Sequence, residues 1–424
     1  MGLPHATAMV VGIIIGASIF VQPSEINRHV PSIAGVLAVW VAGGLLSLFG
    51  ALVCAELSSA FPETGGVYVY LRRTLSPSCG FLWGWAMFWS AHSGIIAASS
   101  VVLARYVAFF IPLGDFGIRA VAIAAILALS AVNYVGVRQG SRLQAWITGS
   151  KLAAILLLLI MTCVLGHPAA PEAAAAATPP ISFSQFVLGV SAALFAFGGW
   201  HMVTYAAGET RDPRQTIPRA LLIGSLVVSA CYVALNSAYL YLLPLARVTA
   251  SQRVAADAAQ AVAGPAGGAV ISALVILSAS GVLNGVILAG PRTYYAMASE
   301  NLAPQWLAAI HPRFHTPHRA TVAQAVWSAA LVATGTYRAL FTRVVYTEWL
   351  FFALMTWGMF RARRMADYAP AWRIWAYPVI PLVFGLAALL VAAIQIAADP
   401  LQSATGLGIV VLGLPVYYFW MRPR

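Results

Sequence analysis

The stretch VGIIIGASIF, residues 11–20, breaks the pattern of a continuous membrane-spanning helix. It lies in an apolar segment long enough to cross a bilayer, but Gly16, Ala17 and Ser18 are small residues that favour an interruption at the helix centre. An interrupted helix leaves backbone groups unpaired, which membranes tolerate only where those groups line a cavity or meet a ligand. The stretch FAFGGWH, residues 195–201, has the same character. Two interrupted spans in corresponding halves of a chain indicate a transporter binding site.

The composition is that of a membrane protein. The 424 residues are 61% hydrophobic and 8% charged, with a mean hydropathy of +0.84. A soluble domain of this length needs more charged surface, so we predict an all-α integral membrane protein. The net charge of +12 comes from arginines between apolar segments. Such loop charges set membrane topology, and this explains them better than a nucleic-acid-binding surface does.

The apolar segments predict twelve transmembrane helices, each near the length of about 20 residues that a bilayer core requires. They cover residues 7–29, 34–61, 80–111, 118–137, 142–165, 184–208, 219–243, 265–298, 319–336, 341–361, 374–397 and 402–421. With the N-terminus inside, sixteen arginines fall on the inner side and seven on the outer side. This asymmetry predicts a multi-pass protein with both termini in the cytoplasm, and we expect it in a cytoplasmic (inner) membrane.

The loop between the fifth and sixth spans divides the chain. Residues 166–180, GHPAAPEAAAAATPP, are rich in alanine and proline and contain no basic residue. This composition predicts an extracellular linker without chemistry of its own. We therefore expect a first five-helix unit over 1–165, a linker over 166–183, a second unit over 184–361 and two further helices over 362–424.

Lys151 is the only lysine in the chain and lies inside the fifth predicted span. A charge at the centre of a membrane helix costs about 2.5–3.5 kcal/mol on insertion scales, so such residues are functional candidates. The alternative is a lysine whose side chain reaches the membrane surface. Arg142 marks that surface about 13 Å away along a helix, which is too far for this explanation.

Four other charged residues are candidates for gating or proton transfer. Glu209 and Arg211 belong to a charged cluster after the sixth span, and they predict either an inner gate of ion pairs or solvated loop charges. Glu56 and Glu348 lie in apolar context near the ends of the second and tenth spans. Each is either a proton carrier or a carboxylate close enough to the interface to be hydrated.

Metal and cofactor sites are not predicted. Histidines 311, 315 and 318 are close in sequence, but two prolines interrupt the run and no cysteine or acid is nearby. The four cysteines lie in or beside apolar segments without a paired motif, which is typical of small buried side chains.

Four stretches occur in the order seen in amino acid permeases. They are VVGIIIGASIF, AELSSAFPETGGVYVYLRR, FAFGGWHMVTYAAGETRDPRQTIPRA and SASGVLNGVILAGPRTYYAMASENLAPQWLAAIHPRFHTPHRA, beginning at residues 10, 55, 195 and 278. Over nearly its whole length the chain resembles the amino acid–polyamine–organocation (APC) superfamily, and within it the L-type amino acid transporter branch and its bacterial relatives. The first-span and sixth-span motifs together are specific to that resemblance.

The resemblance implies a LeuT-like fold. Spans 1–5 and 6–10 would form inverted repeats with spans 1 and 6 broken at mid-membrane, and two extra helices would lie outside the repeats. The substrate carboxylate would meet N–H groups at the first break, as anions do at helix N-termini, and its amino group would meet free carbonyls of both breaks. The substrate side chain would lie among residues that include Ile95 and Ser99. The implied binding residues are Ile14, Gly16, Ala17, Ser18, Phe195, Ala196, Phe197, Gly198, Trp200, His201 and Asn284.

Within this resemblance, Phe195 matches the family's gate over the substrate. Lys151 matches the fifth-span lysine of sodium-independent members, whose ammonium takes the place of a sodium ion and ties the fifth span to the broken first span. The family's usual Gly-Ser-Gly is Gly-Ala-Ser here, and the side chain of Ser18 narrows the space toward small substrates. His201 replaces the asparagine of mammalian relatives, and it could bind substrate, make the site pH-sensitive or pack as an ordinary buried histidine. The loop after the third span lacks the cysteine that links mammalian members to a glycoprotein, so no such partner is implied.

Together these features predict a sodium-independent carrier of neutral L-amino acids that works by alternating access as an exchanger. The alternative is a proton-coupled symporter in which Lys151 gives up its proton during the cycle. An intramembrane enzyme is disfavoured because the twelve acids lie mostly in loops and none is paired with a histidine at useful spacing. A channel is disfavoured because the sequence has no repeated filter or charged ring.

Overall fold

A computed structural model of the chain consists of helices and their connections. It describes residues 1–16, 18–135, 137–169, 180–334 and 337–421, with side chains for all of these except 137–145, 209, 337–345, 402 and 420–421. No β-strand occurs within these ranges. Ala17 and most of the predicted linker 166–183 lie outside the described residues.

Eight helices form the first half of the chain. They are α1 (Leu3–Ile14), α2 (Gln22–His29), α3 (Ile33–Ala60), α4 (Val67–Thr74), α5 (Pro77–Ala86), α6 (His92–Val107), α7 (Asp115–Val135) and α8 (Val137–Leu165). A π-helical segment, Met87–Ala91, joins α5 to α6 so that the two run as one long helix.

The second half begins with α9 (Phe183–Ala196), which a 3₁₀ segment, Trp200–Glu209, continues after a short turn. The remaining helices are α10 (Pro213–Leu242), α11 (Leu245–Ala250), α12 (Val254–Ser299), α13 (His318–Thr334), α14 (Tyr337–Ala362), α15 (Val379–Ala398), α16 (Pro400–Val411) and α17 (Gly413–Val416). α9 begins with a capping box, in which the Gln185 N–H donates to Ser182 Oγ and the Ser182 N–H donates to Gln185 Oε1.

Eight helical segments of the described chain are long and apolar enough to cross a membrane. They are 33–60, 77–107, 115–135, 146–165, 183–208, 213–242, 254–299 and 379–398. The other four predicted spans coincide with helices that are shorter, divided or described only in part. The all-helical membrane class is therefore confirmed, and the count of twelve stays a prediction.

Both predicted interruptions are present. The first apolar segment consists of α1, a 3₁₀ turn at Ser18–Phe20, and α2. The sixth consists of α9 and the 3₁₀ segment Trp200–Glu209, separated by residues 197–199. α1 packs against α8, α10 and α12, which places its broken end at the centre of the bundle.

Candidate functional site

The first break exposes backbone groups within the protein interior. α1 ends at Ile14, and Ser18 begins the following 3₁₀ turn, so Gly16 lies between two helical segments. The last carbonyls of a helix and the first N–H groups of the next have no helical partners. Groups at this position must therefore be satisfied by side chains or by a ligand.

Lys151 satisfies two carbonyls at the first break. Its ammonium donates to Gly12 O at 2.7 Å and to Ile15 O at 2.9 Å, and the side chain has no exposed surface. The tie between the fifth and first spans that the resemblance implied is thus present. Space for it comes from Gly281 of α12, where an added Cβ would lie 3.2 Å from Lys151 Cε and 2.3 Å from Ile147 Cγ2.

Tyr232 of α10 connects the two breaks, a contact that sequence reasoning missed. Its hydroxyl lies 2.8 Å from Ile14 O at the end of α1 and 3.0 Å from Ala196 O at the end of α9, and it can donate to either carbonyl. The tyrosine ring is buried against Trp40 and Phe197. One side chain therefore holds the ends of both broken helices at a fixed distance.

The second break depends on Gly199. Its φ of +96° lies in a region that residues with a side chain rarely adopt, and an added Cβ would lie 2.6 Å from Ile13 Cγ2. Glycine therefore allows the turn after α9 to come close to α1. The glycine pair of the sequence motif therefore allows the two breaks to lie close together.

The two breaks enclose a cavity of about 30 Å³. Its lining combines both breaks with parts of α6, α12 and α14. The lining residues are Ile13, Ile14, Gly16, Ser18, Ile95, Ser99, Leu194, Phe195, Gly198, Gly199, Met202, Val282, Val286, Glu348 and Trp349. A space of this size holds only one or two waters. An amino acid therefore enters only when part of the lining moves.

Five of the predicted binding residues lie outside this lining, and they are Ala196, Phe197, Trp200, His201 and Asn284. Phe197 packs against Trp40 and Tyr232, and Trp200 packs against Phe352 and Phe384. Their rings pack between helices outside the cavity lining.

The two polar members of this group are also buried away from the cavity. His201 is surrounded by the rings of Trp83, Trp200, Tyr205 and Phe352. Asn284 accepts a hydrogen bond of 2.8 Å from Asn133 Nδ2, which links α12 to α7. Ala196 contributes its carbonyl to Tyr232.

The predicted charged gate of Glu209 and Arg211 stays a prediction. Arg211 is exposed, and its backbone N–H donates to Met1 O, while the side chain of Glu209 lies outside the described part. Ion pairs that the sequence did not indicate occur elsewhere. Glu63 pairs with Arg72 and Arg73, and Glu300 pairs with Arg72 and accepts from the Tyr68 hydroxyl.

Glu56 is held in a buried ion pair. Arg363 donates to both of its carboxylate oxygens at 2.7 Å, and the Ile374 N–H and the Tyr368 hydroxyl donate as well. Burial and the neighbouring Glu56 carboxylate raise the pKa of Tyr368 well above its usual value, so its hydroxyl remains a donor. A carboxylate with this many donors stabilises the contact between α3 and the 363–374 segment and is poorly suited to carry protons.

Glu56→Gln is expected to lower the free energy of unfolding by about 3 kcal/mol, since breaking a buried ion pair leaves the remaining charge uncompensated. Glu63→Gln is the matched control, because its side chain is 41% exposed and its pair with Arg73 should contribute less than about 1 kcal/mol. Thermal unfolding in detergent measures both. Equal midpoints for the two variants would contradict the structural role of Glu56.

The histidine cluster has a local structural role. His311 Nδ1 accepts from the backbone N–H groups of Arg313 and Phe314, and its ring stacks on Phe314. These contacts fix the turn before α13. Within the described residues, no group of three or more His, Cys, Asp or Glu side chains is placed to hold a metal ion.

Comparison with known proteins gives matches over nearly the whole chain. The family model for amino acid permeases matches residues 1–418. The serine/threonine exchanger SteT of Bacillus subtilis (strain 168) is 29% identical over 99% of this chain and 96% of its own length. The Asc-type amino acid transporter 1 of Mus musculus is 30% identical over 99% of this chain and 81% of its own. The cystine/glutamate transporter of Homo sapiens is 27% identical, covering 100% and 86%.

Proposed function

Because this chain belongs to the amino acid permease family and is an amino acid transporter, we propose that it exchanges small neutral L-amino acids by alternating access, without sodium. The single observation that carries this proposal is the Lys151 ammonium held by Gly12 O and Ile15 O at the first break. The substrate class is supported by the printed names of two similar proteins, a serine/threonine exchanger and an Asc-type transporter.

The substrate's charged head is bound by the backbone of the two breaks. Its carboxylate accepts hydrogen bonds from N–H groups between Gly16 and Ser18, as anions do at helix N-termini. Its ammonium donates to carbonyls near Phe195 and Gly198, which lie at the end of α9 and line the same cavity. Backbone groups do not distinguish side chains, so selectivity comes from the walls of the cavity.

The position of Lys151 supports sodium independence. A cation at this break needs oxygen ligands, and the Lys151 ammonium already occupies Gly12 O and Ile15 O. The carrier therefore needs no bound sodium to stabilise the broken helix. The carrier works as an exchanger if its unloaded form changes conformation slowly. It then returns to the other side of the membrane only with a second substrate bound.

We also propose the finer architecture that the sequence predicts. The chain forms twelve spans in a cytoplasmic membrane, with five-helix inverted repeats over 1–165 and 184–361 and both termini in the cytoplasm. The corresponding breaks after α1 and α9 support the repeat. Residues 112–117 contain no cysteine, which supports function without a linked glycoprotein.

Phe195→Ala is expected to slow turnover by about tenfold while changing substrate affinity less than about threefold, because a gate acts on closure more than on binding. Phe195 lines the cavity and is 8% exposed. Equilibrium binding and initial exchange rates, measured on the same preparation, separate the two effects. Lost affinity with normal turnover of bound substrate would make Phe195 a contact residue.

Proton-coupled symport is the second candidate. Glu348 favours it, because this carboxyl group lines the cavity and is 3% exposed. An intramembrane carboxyl group next to a substrate is a common proton carrier. In this mechanism the imposed proton gradient drives uptake into vesicles that contain no amino acid.

Counterflow in proteoliposomes tests the proposal. Vesicles are loaded with unlabelled alanine, labelled alanine is added outside in sodium-free buffer, and the measurement is repeated with an imposed pH gradient. If the protein is an exchanger, uptake requires amino acid inside the vesicles and does not change when the pH gradient is imposed. Gradient-driven uptake into empty vesicles would support symport, and absence of uptake across neutral, basic and acidic amino acids would contradict both candidates.

A further inference from the structure

Glu348 of α14 is a carboxyl group without a protein partner at one of its oxygens. Oε1 is buried and has no hydrogen-bond partner among the described residues, and the whole residue is only 3% exposed. The side chain lines the same cavity as Gly16, Ser18 and Gly198. Buried polar groups are almost always hydrogen-bonded, so an unpaired carboxyl oxygen on a side chain that lines a binding cavity requires an explanation.

The cation nearest to the breaks does not satisfy this carboxyl group. Lys151 donates to Gly12 O and Ile15 O, and none of the ion pairs formed among the described residues includes Glu348. Glu348 is thus available to a ligand, whereas Glu56 in α3 is fully occupied by Arg363 and backbone donors.

Apart from Glu348, the polar side chains of the described lining are the hydroxyls of Ser18 and Ser99 and the indole of Trp349, so Glu348 is its one carboxyl group. Ile13, Ile95, Val282 and Val286 are aliphatic, and Trp349 lies beside Glu348. Pockets of this kind take their specificity from a few well-placed polar groups in an apolar lining. A carboxyl oxygen accepts a hydrogen bond from a hydroxyl donor.

We propose that Glu348 accepts a hydrogen bond from the side chain of the transported amino acid and makes the carrier selective for hydroxyl-bearing substrates, serine and threonine. This inference rests on the proposed function, because it assumes that the amino acid occupies the cavity between the breaks. Valine matches threonine in size, and alanine is serine without its hydroxyl group. Both lack the donor, so they leave Glu348 Oε1 unpaired.

The size of the preference follows from the cost of leaving a buried polar group unpaired. A site that hydrogen-bonds a substrate hydroxyl rejects the analogue lacking it much more strongly than an apolar pocket rejects a missing methyl group. An unsatisfied buried acceptor costs about 1–3 kcal/mol, and the middle of that range corresponds to a preference of about thirtyfold in kcat/KM.

The test compares serine with alanine and threonine with valine in counterflow. For the unaltered protein we expect kcat/KM ratios of about ten or more within each pair. In Glu348→Ala the ratios should approach one, and in Glu348→Gln they should lie between, because the amide oxygen still accepts. Asp367→Asn is the control, since it removes an exposed carboxyl group outside the cavity lining and should retain the unaltered ratios.

Equal rates within both pairs for the unaltered protein would overturn the role of Glu348 and leave amino acid exchange standing. Absence of exchange for every amino acid would instead overturn the proposed function. If the Glu348 variants do not fold, thermal stabilisation of the unaltered protein by each amino acid decides the question. Stabilisation by serine at lower concentration than by alanine supports the inference, and equal concentrations contradict it.

Discussion

Replacing Lys151 with methionine is expected to reduce amino acid exchange by about a hundredfold in a protein that still folds, because two buried carbonyls lose their donor at about 1–3 kcal/mol each. Those carbonyls, Gly12 O and Ile15 O, belong to the broken end of α1. Without the ammonium, α8 no longer holds these two carbonyls at the broken end of α1, where we propose that the substrate binds. Initial exchange rates in proteoliposomes, at matched protein insertion, measure the loss.

Charge alone should not restore function. Gly281 and Ile147 leave little space around the end of the lysine side chain, so the wider guanidinium of Lys151→Arg should also fail. Leu156→Ala is the control on the same helix, because Leu156 is 57% exposed on the outer surface and should leave exchange unchanged. Normal exchange in Lys151→Met would remove the central role assigned to this residue.

Tyr232→Phe should reduce exchange by about tenfold with little loss of stability, since it removes one hydrogen bond worth about 1 kcal/mol and preserves the ring. The ring keeps its contacts with Trp40 and Phe197. What is lost is the hydroxyl between Ile14 O and Ala196 O, which holds the two broken helices together. The expected effect is therefore on transport more than on folding.

Tyr239→Phe provides a matched control for this variant. Tyr239 lies two turns further along α10 and is also fully buried, but its hydroxyl has no hydrogen-bond partner among the described residues. Its removal should leave the exchange rate within about twofold of normal, because no contact between helices is lost. Equal reductions of the exchange rate in both variants would show that the contact of the Tyr232 hydroxyl with the two helix ends is not needed for transport.

The class of the protein and its most unusual local features were predictable from the sequence. Composition predicted an all-helical membrane protein. The small residues at 16–18 and the Gly198-Gly199 pair predicted the two breaks, because such residues favour an interruption of a helix. The isolated Lys151 predicted a buried contact since a membrane charge requires oxygen partners. The expectation of an amino acid transporter, and not an enzyme, is confirmed by the family match over residues 1–418.

The direction of side chains around the breaks was not predictable. Phe197 and Trp200 follow Phe195 closely in sequence, but the turn at Gly199 directs them into the helix packing and away from the cavity lining. Tyr232 could not be distinguished from neighbouring tyrosines of α10, because only the three-dimensional arrangement places it between two helix ends. Long-range contacts of this kind leave no periodic signal in a single sequence.

Glu56 shows the same limit for charged residues. An acid in an apolar segment indicates a function or a buried partner equally well, and the partner, Arg363, is more than three hundred residues away in sequence. The assignment of Glu348 to the cavity depended similarly on the packing of α14 against the two breaks.

The most direct measurement is a structure determined with saturating L-serine. We expect the substrate carboxylate within hydrogen-bonding distance of the N–H groups between Gly16 and Ser18, its ammonium at the carbonyls that end α9, and Lys151 Nζ still on Gly12 O and Ile15 O. Serine bound away from both breaks, or a Lys151 ammonium that contacts the substrate carboxylate in place of those carbonyls, would contradict the backbone-recognition site proposed for this carrier.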